Sequence, residues 1–236
     1  MFPDGFVYAG DSGADLAVWK IAKGGVLVET TGRVGRAAAR LTQIEHTLKR
    51  PPRLKDWVKQ ARLHQWAKNA LVFVPLMLGG HMLDPTAWTS AAIAFLALGI
   101  LASSTYLLND LWDIADDRRH WSKRNRPLAA GRISIAHAVA VMPVAMIAAF
   151  ALGALVNPLV VVTLGAYLAL TVAYSMGIKR KPILDAFTLA VLFTLRLVLG
   201  IVAVGVMASP WLLVFSMFLF ASLSFAKRNT EVQRMT

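Results

Sequence analysis

The residues best suited to chemistry follow directly on an apolar run that ends near residue 108. An amide and three carboxylates occupy positions i, i+1, i+4 and i+8: Asn109, Asp110, Asp113 and Asp117. On a helix this spacing places them on one face, where the carboxylates repel each other unless a cation lies among them. Magnesium takes oxygen ligands and is usually held by one or two carboxylates together with substrate phosphates. The face therefore predicts a site for Mg²⁺ and a diphosphate, with Asp110, Asp113 and Asp117 as catalytic residues and metal ligands and Asn109 beside them.

A basic cluster follows this acidic face within ten residues. Lys123, Arg124 and Arg126 suit the phosphate oxygens that the metal leaves free. Charged residues in a membrane loop often serve only to solvate the loop and to set topology, and the one-face spacing before a basic cluster favours a substrate site instead. Three other charges of this stretch are interpreted as ordinary loop charges: Asp116, Arg118 and Arg119.

A second group of ionisable residues lies near and inside a later apolar run. Lys179 belongs to a short basic segment, and Asp185 and Arg196 follow within the run itself. Ionisable groups inside a membrane span are costly and usually face a polar cavity. Asp185 and Arg196 are eleven residues apart, so they share a helix face but stand about 16 Å apart and cannot pair directly. Asp185 could join the metal site and Arg196 could meet an anion, or each could form a structural contact between helices.

Two polar residues lie at the start of the first apolar run. Lys68 and Asn69 stand where that run begins. They could reach the pocket and bind substrate, or they could anchor the segment at the membrane interface.

Apolar helices must position these residues. The chain has 236 residues, of which 57% are hydrophobic and 16% charged, whereas a typical soluble domain is about 25% charged. It has no cysteine, which excludes a disulfide scaffold and a cysteine-ligated metal site, and its composition excludes disorder. Six apolar runs have roughly membrane-spanning length: 69–84, 88–108, 134–155, 158–176, 183–206 and 210–226. We therefore predict an all-α integral membrane protein, a helical bundle of about six spans with a short α/β-type segment at its N-terminus.

The formal charge of +12 has an uneven distribution along the chain. From residue 69 onward, Lys and Arg are concentrated in the connections 109–133 and 177–182 and in the tail after 226, and they are absent from the other three connections. This is the positive-inside pattern of a multi-pass membrane protein. It predicts that the N-terminus and the loops with the site residues are cytoplasmic, and that the basic charge serves membrane lipid and phosphates rather than nucleic acid.

The N-terminal third has a different character. Residues 1–50 contain a short strand, a turn and a short helix, followed by a stretch rich in Gly, Thr and Arg. Residues 51–68 begin with two prolines and continue as a basic amphipathic segment, which suits the membrane surface. We place the membrane domain at 69–236.

The acidic motif resembles a known family. Asn109-Asp110-x-x-Asp113-x-x-x-Asp117 is similar to the first aspartate-rich motif of the UbiA superfamily of intramembrane prenyltransferases. The segment that starts at Lys123 resembles the one that follows that motif, and Tyr174, Lys179 and Asp185 resemble the second motif region. The resemblance covers about residues 60–230. It implies a Mg²⁺-dependent transferase, with Asp185 among the catalytic residues and Tyr174 among those that bind substrate.

Within the superfamily, the chain is most similar to the decaprenyl-phosphate phosphoribosyltransferase branch. The resemblance rests on Lys68, Asn69, the long basic loop, and Asp185 with Arg196. It implies transfer of 5-phosphoribose from phosphoribosyl diphosphate to a polyprenyl phosphate in a bacterial inner membrane. Two alternatives stay open: an aromatic prenyltransferase of quinone or haem synthesis, whose donor is a polyprenyl diphosphate, and a membrane transporter.

The N-terminal segment has a resemblance of its own. Gly10-Asp11-x-x-x-Asp15 is similar to the last acidic motif of haloacid-dehalogenase-like domains, and the nucleophile motif of that fold has no counterpart in the residues before it. We therefore expect the remnant of such a domain. Superfamily members are expected to have nine spans, so the six predicted here suggest a chain cut at both ends.

Overall fold

The computed structural model describes residues 4–48 and 54–233. The chain divides into two compact units, Met1–Arg53 and Leu54–Thr236. The first carries the strands and the second carries the long helices, and each is described by itself.

The N-terminal unit is a small parallel sheet with helices in the connections. Its strands are β1 (Val7–Gly10), β2 (Gly24–Val28) and β3 (Gln43–Leu48), and its helices are α1 (Leu16–Trp19) and α2 (Gly32–Ala38). The strand order is β1-β2-β3, and both pairs are parallel. Trp19, Leu27 and Ala38 form the core, and Trp19 Nε1 donates a hydrogen bond to the Tyr8 carbonyl over 3.0 Å. The predicted α/β-type segment is confirmed; its comparison with haloacid dehalogenases stays a prediction.

Asp15 organises the turn that follows β1. Its Oδ2 accepts hydrogen bonds from the backbone N–H groups of Ser12 and Asp11, both over 2.9 Å, and its Oδ1 accepts one from the Tyr8 hydroxyl over 3.0 Å. These bonds lower the pKa of Asp15 to about 2, and the bond from the Ser12 backbone N–H has the largest effect. The carboxylate is therefore used within its own turn.

The turn is expected to loosen in acid. Because the pKa of Asp15 in the folded unit lies below its ordinary value of 3.8, its contribution to stability is complete above pH 4 and is lost as the pH falls through about 2. Hydrogen exchange of the Asp11 and Ser12 amides should lose protection over that range, after correction for intrinsic rates. An Asp15→Asn variant should show weaker protection without this pH dependence, and a wild-type protein with pH-independent protection would contradict the assignment.

The second unit is a bundle of apolar helices. Five of its helices are long and apolar enough to cross a membrane: α5 (Pro85–Trp112), α7 (Ile135–Val156), α8 (Pro158–Met176), α9 (Pro182–Val204) and α10 (Pro210–Gln233). Shorter helices complete it: α3 (Leu54–Ala61), a 3₁₀ segment (Leu63–Phe73), α4 (Val74–Leu78) and α6 (Ile114–Arg119). The all-α membrane bundle is thus confirmed, with five long spans among the described residues.

The predicted span at 69–84 does not form one long helix. That stretch belongs to the 3₁₀ segment and α4, and Gly79-Gly80 ends the helix after Leu78. The short segments nevertheless run along α5 in the opposite direction. Trp66 Nε1 donates to Ser103 Oγ over 3.1 Å, and further along Phe73 packs on Trp88, with ring centres 5.7 Å apart. Residues 63–78 therefore cover one side of α5, although they form no single long helix.

Glycine allows the 3₁₀ segment to approach α9 closely. A Cβ at Gly200 would collide with the backbone carbonyl of Val72. The approach places Asn69, one turn before Val72, beside the middle of α9.

The acidic motif spans a helix junction. α5 ends at Trp112, Asp113 adopts φ −90° and ψ 9°, and α6 starts at Ile114. Backbone bonds continue across the junction, from Asp113 N to Asn109 O and from Asp117 N to Asp113 O, over 2.9 and 2.8 Å. The predicted single helix is therefore two helices, and the four polar residues occupy different surroundings.

Candidate active site

Two of the three motif carboxylates lie in a buried network of ion pairs. Asp110 is 3% exposed and Asp117 is 2% exposed. Arg126 Nη1 bridges them, at 3.0 Å from Asp110 Oδ1 and 2.6 Å from Asp117 Oδ2. Arg62 Nη2 also contacts Asp110 Oδ1 over 2.6 Å, and Gln60 Nε2 donates to Asp110 Oδ2 over 2.7 Å. The negative charges of Asp110 and Asp117 are thus already balanced by arginines.

Arg62 owes its position to a break in the backbone. α3 ends at Ala61, and Arg62 adopts φ 52° and ψ 45°, in the left-handed region. This turn separates α3 from the 3₁₀ segment, so the predicted amphipathic stretch is divided there. The Arg62 guanidinium also lies 4.6 Å from the centre of the Tyr106 ring. The sequence predicted a basic amphipathic segment at 51–68, and no spacing signal marked Arg62 or Gln60 within it as part of the site.

A cavity of about 310 Å³ opens beside this network. Six cationic side chains line it: Arg62, Lys68, Lys123, Arg126, Lys179 and Arg196. Among the described residues, Asp113 is the one carboxylate in the lining. Such an excess of positive charge in a partly enclosed space favours an anionic ligand.

Asp113 is the motif carboxylate that faces the cavity. Its Oδ2 accepts hydrogen bonds from Lys179 Nζ and from Asn109 Nδ2, both over 3.2 Å. Its side chain is 28% exposed, and Asn109 lines the cavity with it. These long contacts leave the carboxylate accessible to a ligand.

The structure separates the other predicted residues into two groups. Tyr174 lines the cavity and donates to Asp185 Oδ1 over 2.7 Å. Asp185 is buried, contacts Arg228 Nη1 over 3.8 Å, and is not among the described lining residues. Arg124 is exposed and also lies outside the described lining. The predicted roles of Asp185 and Arg124 stay predictions.

The contacts of the motif side chains affect which of them could bind a metal ion. Within residues 4–48 and 54–233, no three His, Cys, Asp or Glu side chains are grouped so as to hold a metal ion. Arginines contact Asp110 and Asp117 in this structure, and the predicted metal roles of Asp110, Asp113 and Asp117 stay predictions. Asn109 and Asp113 remain at the cavity, and an amide and a carboxylate fit Mg²⁺, which needs one or two carboxylates with substrate phosphates.

A bundle of membrane-length helices with a cationic cavity at the end of α5 defines a multi-pass membrane protein with an internal polar site. The chain belongs to the UbiA prenyltransferase family, whose sequence profile matches residues 71–235. The predicted membership is confirmed.

Known relatives extend the comparison. The chain is 41% identical to the uncharacterized protein y4nM of Sinorhizobium fredii, over 99% of this chain and 46% of that protein. It is 34% identical to the decaprenyl-phosphate phosphoribosyltransferase of Corynebacterium glutamicum, over 81% of this chain and 60% of the relative. It therefore spans about half to three-fifths of the length of these relatives.

A solved structure has the same fold. A UbiA homolog from Archaeoglobus fulgidus, bound to DMAPP and Mg²⁺, superposes with a TM-score of 0.62 at 19% identity. The match covers 71% of this chain and 61% of the homolog. At this identity the likeness concerns the fold alone.

Proposed function

We propose that the chain transfers a 5-phosphoribosyl group from phosphoribosyl diphosphate to a polyprenyl phosphate. The observation that carries the proposal is the charge of the cavity, where six cations surround one described carboxylate. Two phosphorylated substrates suit this excess better than one diphosphate and a neutral aromatic acceptor. The relative named decaprenyl-phosphate phosphoribosyltransferase supports the same reaction.

The diphosphate of the donor would bind near the junction of α5 and α6. Lys123, Arg126 and Lys179 line the cavity there and would contact its oxygens. Asn109 and Asp113 would hold Mg²⁺ against the same group. When bound, the metal neutralises charge on the departing pyrophosphate.

The chemistry asks little of the protein beyond positioning. The bond between C1 of the ribose and the diphosphate oxygen breaks, its electron pair leaves with pyrophosphate, and a phosphate oxygen of the lipid forms the new bond to C1. The acceptor is already an anion, so no base has to remove a proton. Arg126 and Lys179 would stabilise the charge that develops on the leaving group.

A small apolar cavity adjoins this site. A smaller cavity between α5 and α8 is lined mainly by apolar surface and includes Leu108, Trp112 and Met176. It shares four lining residues with the cationic cavity: Thr105, Asn109, Thr171 and Ser175. The isoprene unit next to the lipid phosphate would contact this apolar surface and keep water away from C1.

The site is proposed to face the cytoplasm of a bacterial inner membrane. The connection between α5 and α7 carries Arg118, Arg119, Lys123, Arg124, Arg126 and Arg132. The connections at 157 and 205–209 carry no Lys or Arg. Such asymmetry indicates that the basic side is cytoplasmic.

A membrane assay with two labelled donors tests the proposal. Membranes containing the chain are given polyprenyl phosphate with labelled phosphoribosyl diphosphate, or 4-hydroxybenzoate with labelled prenyl diphosphate. We expect labelled phosphoribosyl lipid in the first assay, dependent on Mg²⁺ and absent from membranes without the protein. Product in the second assay alone would identify an aromatic prenyltransferase. Mg²⁺-dependent transport without a covalent product would identify a transporter.

A further inference from the structure

Arg196 is a buried cation that the proposed chemistry at the helix junction does not use. It is 7% exposed in the middle of α9 and lines the cavity. Its guanidinium donates to Asn69 Oδ1 over 3.0 Å, to the Leu192 carbonyl over 2.5 Å and to the Tyr167 hydroxyl over 3.3 Å. All three acceptors are neutral, and no described carboxylate pairs with it. A buried charge without a counterion is costly, and in a membrane protein it marks a functional site.

The surroundings hold the guanidinium in one orientation. Asn69 is 2% exposed, and the close approach that Gly200 permits fixes its segment against α9. The Tyr167 and Phe193 rings lie beside the guanidinium, at 5.3 and 4.9 Å from Arg196 Cζ. A side chain anchored by its neighbours in this way is prepared to bind a ligand at little entropic cost.

A second cation lies in the same part of the cavity. Lys68 directly precedes Asn69 in the chain and lines the cavity with Arg196. The acidic residue of the lining, Asp113, is bonded to Lys179 and Asn109 at the other end. Lining residues extend from Thr105 on α5 to Asp113 at the helix junction, which is about 12 Å at helical rise. The cavity is therefore long enough for two separate anionic groups.

We propose that Lys68 and Arg196 form a second anion subsite, which binds a phosphate monoester while the residues at the helix junction bind the diphosphate. The proposal rests on the proposed function. Two substrate groups have this chemistry: the 5-phosphate of phosphoribosyl diphosphate and the phosphate of the polyprenyl acceptor. A doubly charged monoester suits two cations, whereas a single carboxylate would leave one of them unbalanced.

Ligand binding to the full chain in phosphatidylcholine nanodiscs with Mg²⁺ tests the subsite. Pyrophosphate probes the junction alone, phosphoribosyl diphosphate adds the sugar phosphate, and farnesyl phosphate supplies a lipid monoester. The variants are Arg196→Gln and Lys68→Gln, with Arg119→Gln as the control because Arg119 is exposed and outside the described lining.

We expect Arg196→Gln to weaken the binding of one monoester ligand about 10- to 100-fold, as loss of a charged hydrogen bond implies. The affinity for pyrophosphate should not change. Weaker binding of phosphoribosyl diphosphate identifies the sugar phosphate as the occupant. Weaker binding of farnesyl phosphate identifies the lipid phosphate. Lys68→Gln should show the same selectivity, and it decides the question if Arg196→Gln fails to fold. Arg119→Gln should bind all three ligands normally.

Two results would overturn the subsite. An equal loss of affinity for pyrophosphate and for the monoesters would indicate one shared anion site. Unchanged binding of every ligand in both variants would make Arg196 a structural contact. If wild type binds farnesyl phosphate but not phosphoribosyl diphosphate, the proposed function fails, while the farnesyl phosphate arm still tests the subsite.

Discussion

Replacing Asp113 by asparagine is expected to lower the rate of phosphoribosyl transfer about 10²- to 10³-fold, the range found when one group that stabilises transition-state charge is removed. Asp113 is the described carboxylate that lines the cavity, and its side chain keeps 28% exposure. Asparagine has nearly the same shape but no charge to offer a divalent cation. The bundle should remain folded, because the contacts of Asp113 Oδ2 with Lys179 and Asn109 are long, at 3.2 Å.

The measurement pairs turnover with metal binding. The Mg²⁺ concentration that gives half-maximal binding of phosphoribosyl diphosphate should rise at least about 10- to 100-fold in Asp113→Asn, because even the loss of a hydrogen-bond partner of a metal ligand costs that much in affinity. Asp116→Asn is a matched control, since Asp116 is exposed and lies outside the described lining. Full turnover in Asp113→Asn, or equal losses in both variants, would remove Asp113 from the site.

The sequence was informative where a single physical rule governs the outcome. Long apolar runs predicted the spans 134–155 and 158–176, and the helices occupy Ile135–Val156 and Pro158–Met176. Segment length and apolarity decide such elements, because every backbone polar group in a bilayer must be bonded within its own helix. The region 69–84 differs from this prediction of one long helix. Its apolar run is short and contains Pro75 and two glycines, and it forms shorter helical segments instead.

The site was harder to predict because its charges are paired across long distances in sequence. The spacing of the acidic motif identified the four polar residues at the end of α5. It could not show that Arg62, 48 positions before Asp110, bonds to it. Nor could it show that Arg126 bridges Asp110 and Asp117. Such pairs depend on the backbone turn at Arg62 and on the fold of the basic loop, and neither leaves a local pattern.

This pairing leads to the second large expected effect, for Asp110→Ala. Asp110 is 3% exposed and accepts bonds from Arg62, Arg126 and Gln60. Removing one partner of a buried ion pair commonly costs about 3–5 kcal/mol. We expect a smaller loss of about 2–3 kcal/mol in the free energy of unfolding, because both arginines keep some contact with solvent. Their side chains are 22% and 29% exposed, and Arg126 retains Asp117.

Thermal unfolding in nanodiscs, combined with Mg²⁺ binding, separates this structural role from a metal-binding role. If Asp110 positions the two arginines, Asp110→Ala lowers the unfolding temperature, and the Arg62→Ala and Asp110→Ala losses are strongly non-additive in the double variant. Asp110→Asn should be milder, because the amide oxygen still accepts a bond from Arg62. Asp116→Asn again serves as the control. If stability is unchanged in Asp110→Ala and Mg²⁺ affinity falls as it does in Asp113→Asn, Asp110 is a metal ligand and its arginine contacts give way when the substrate binds.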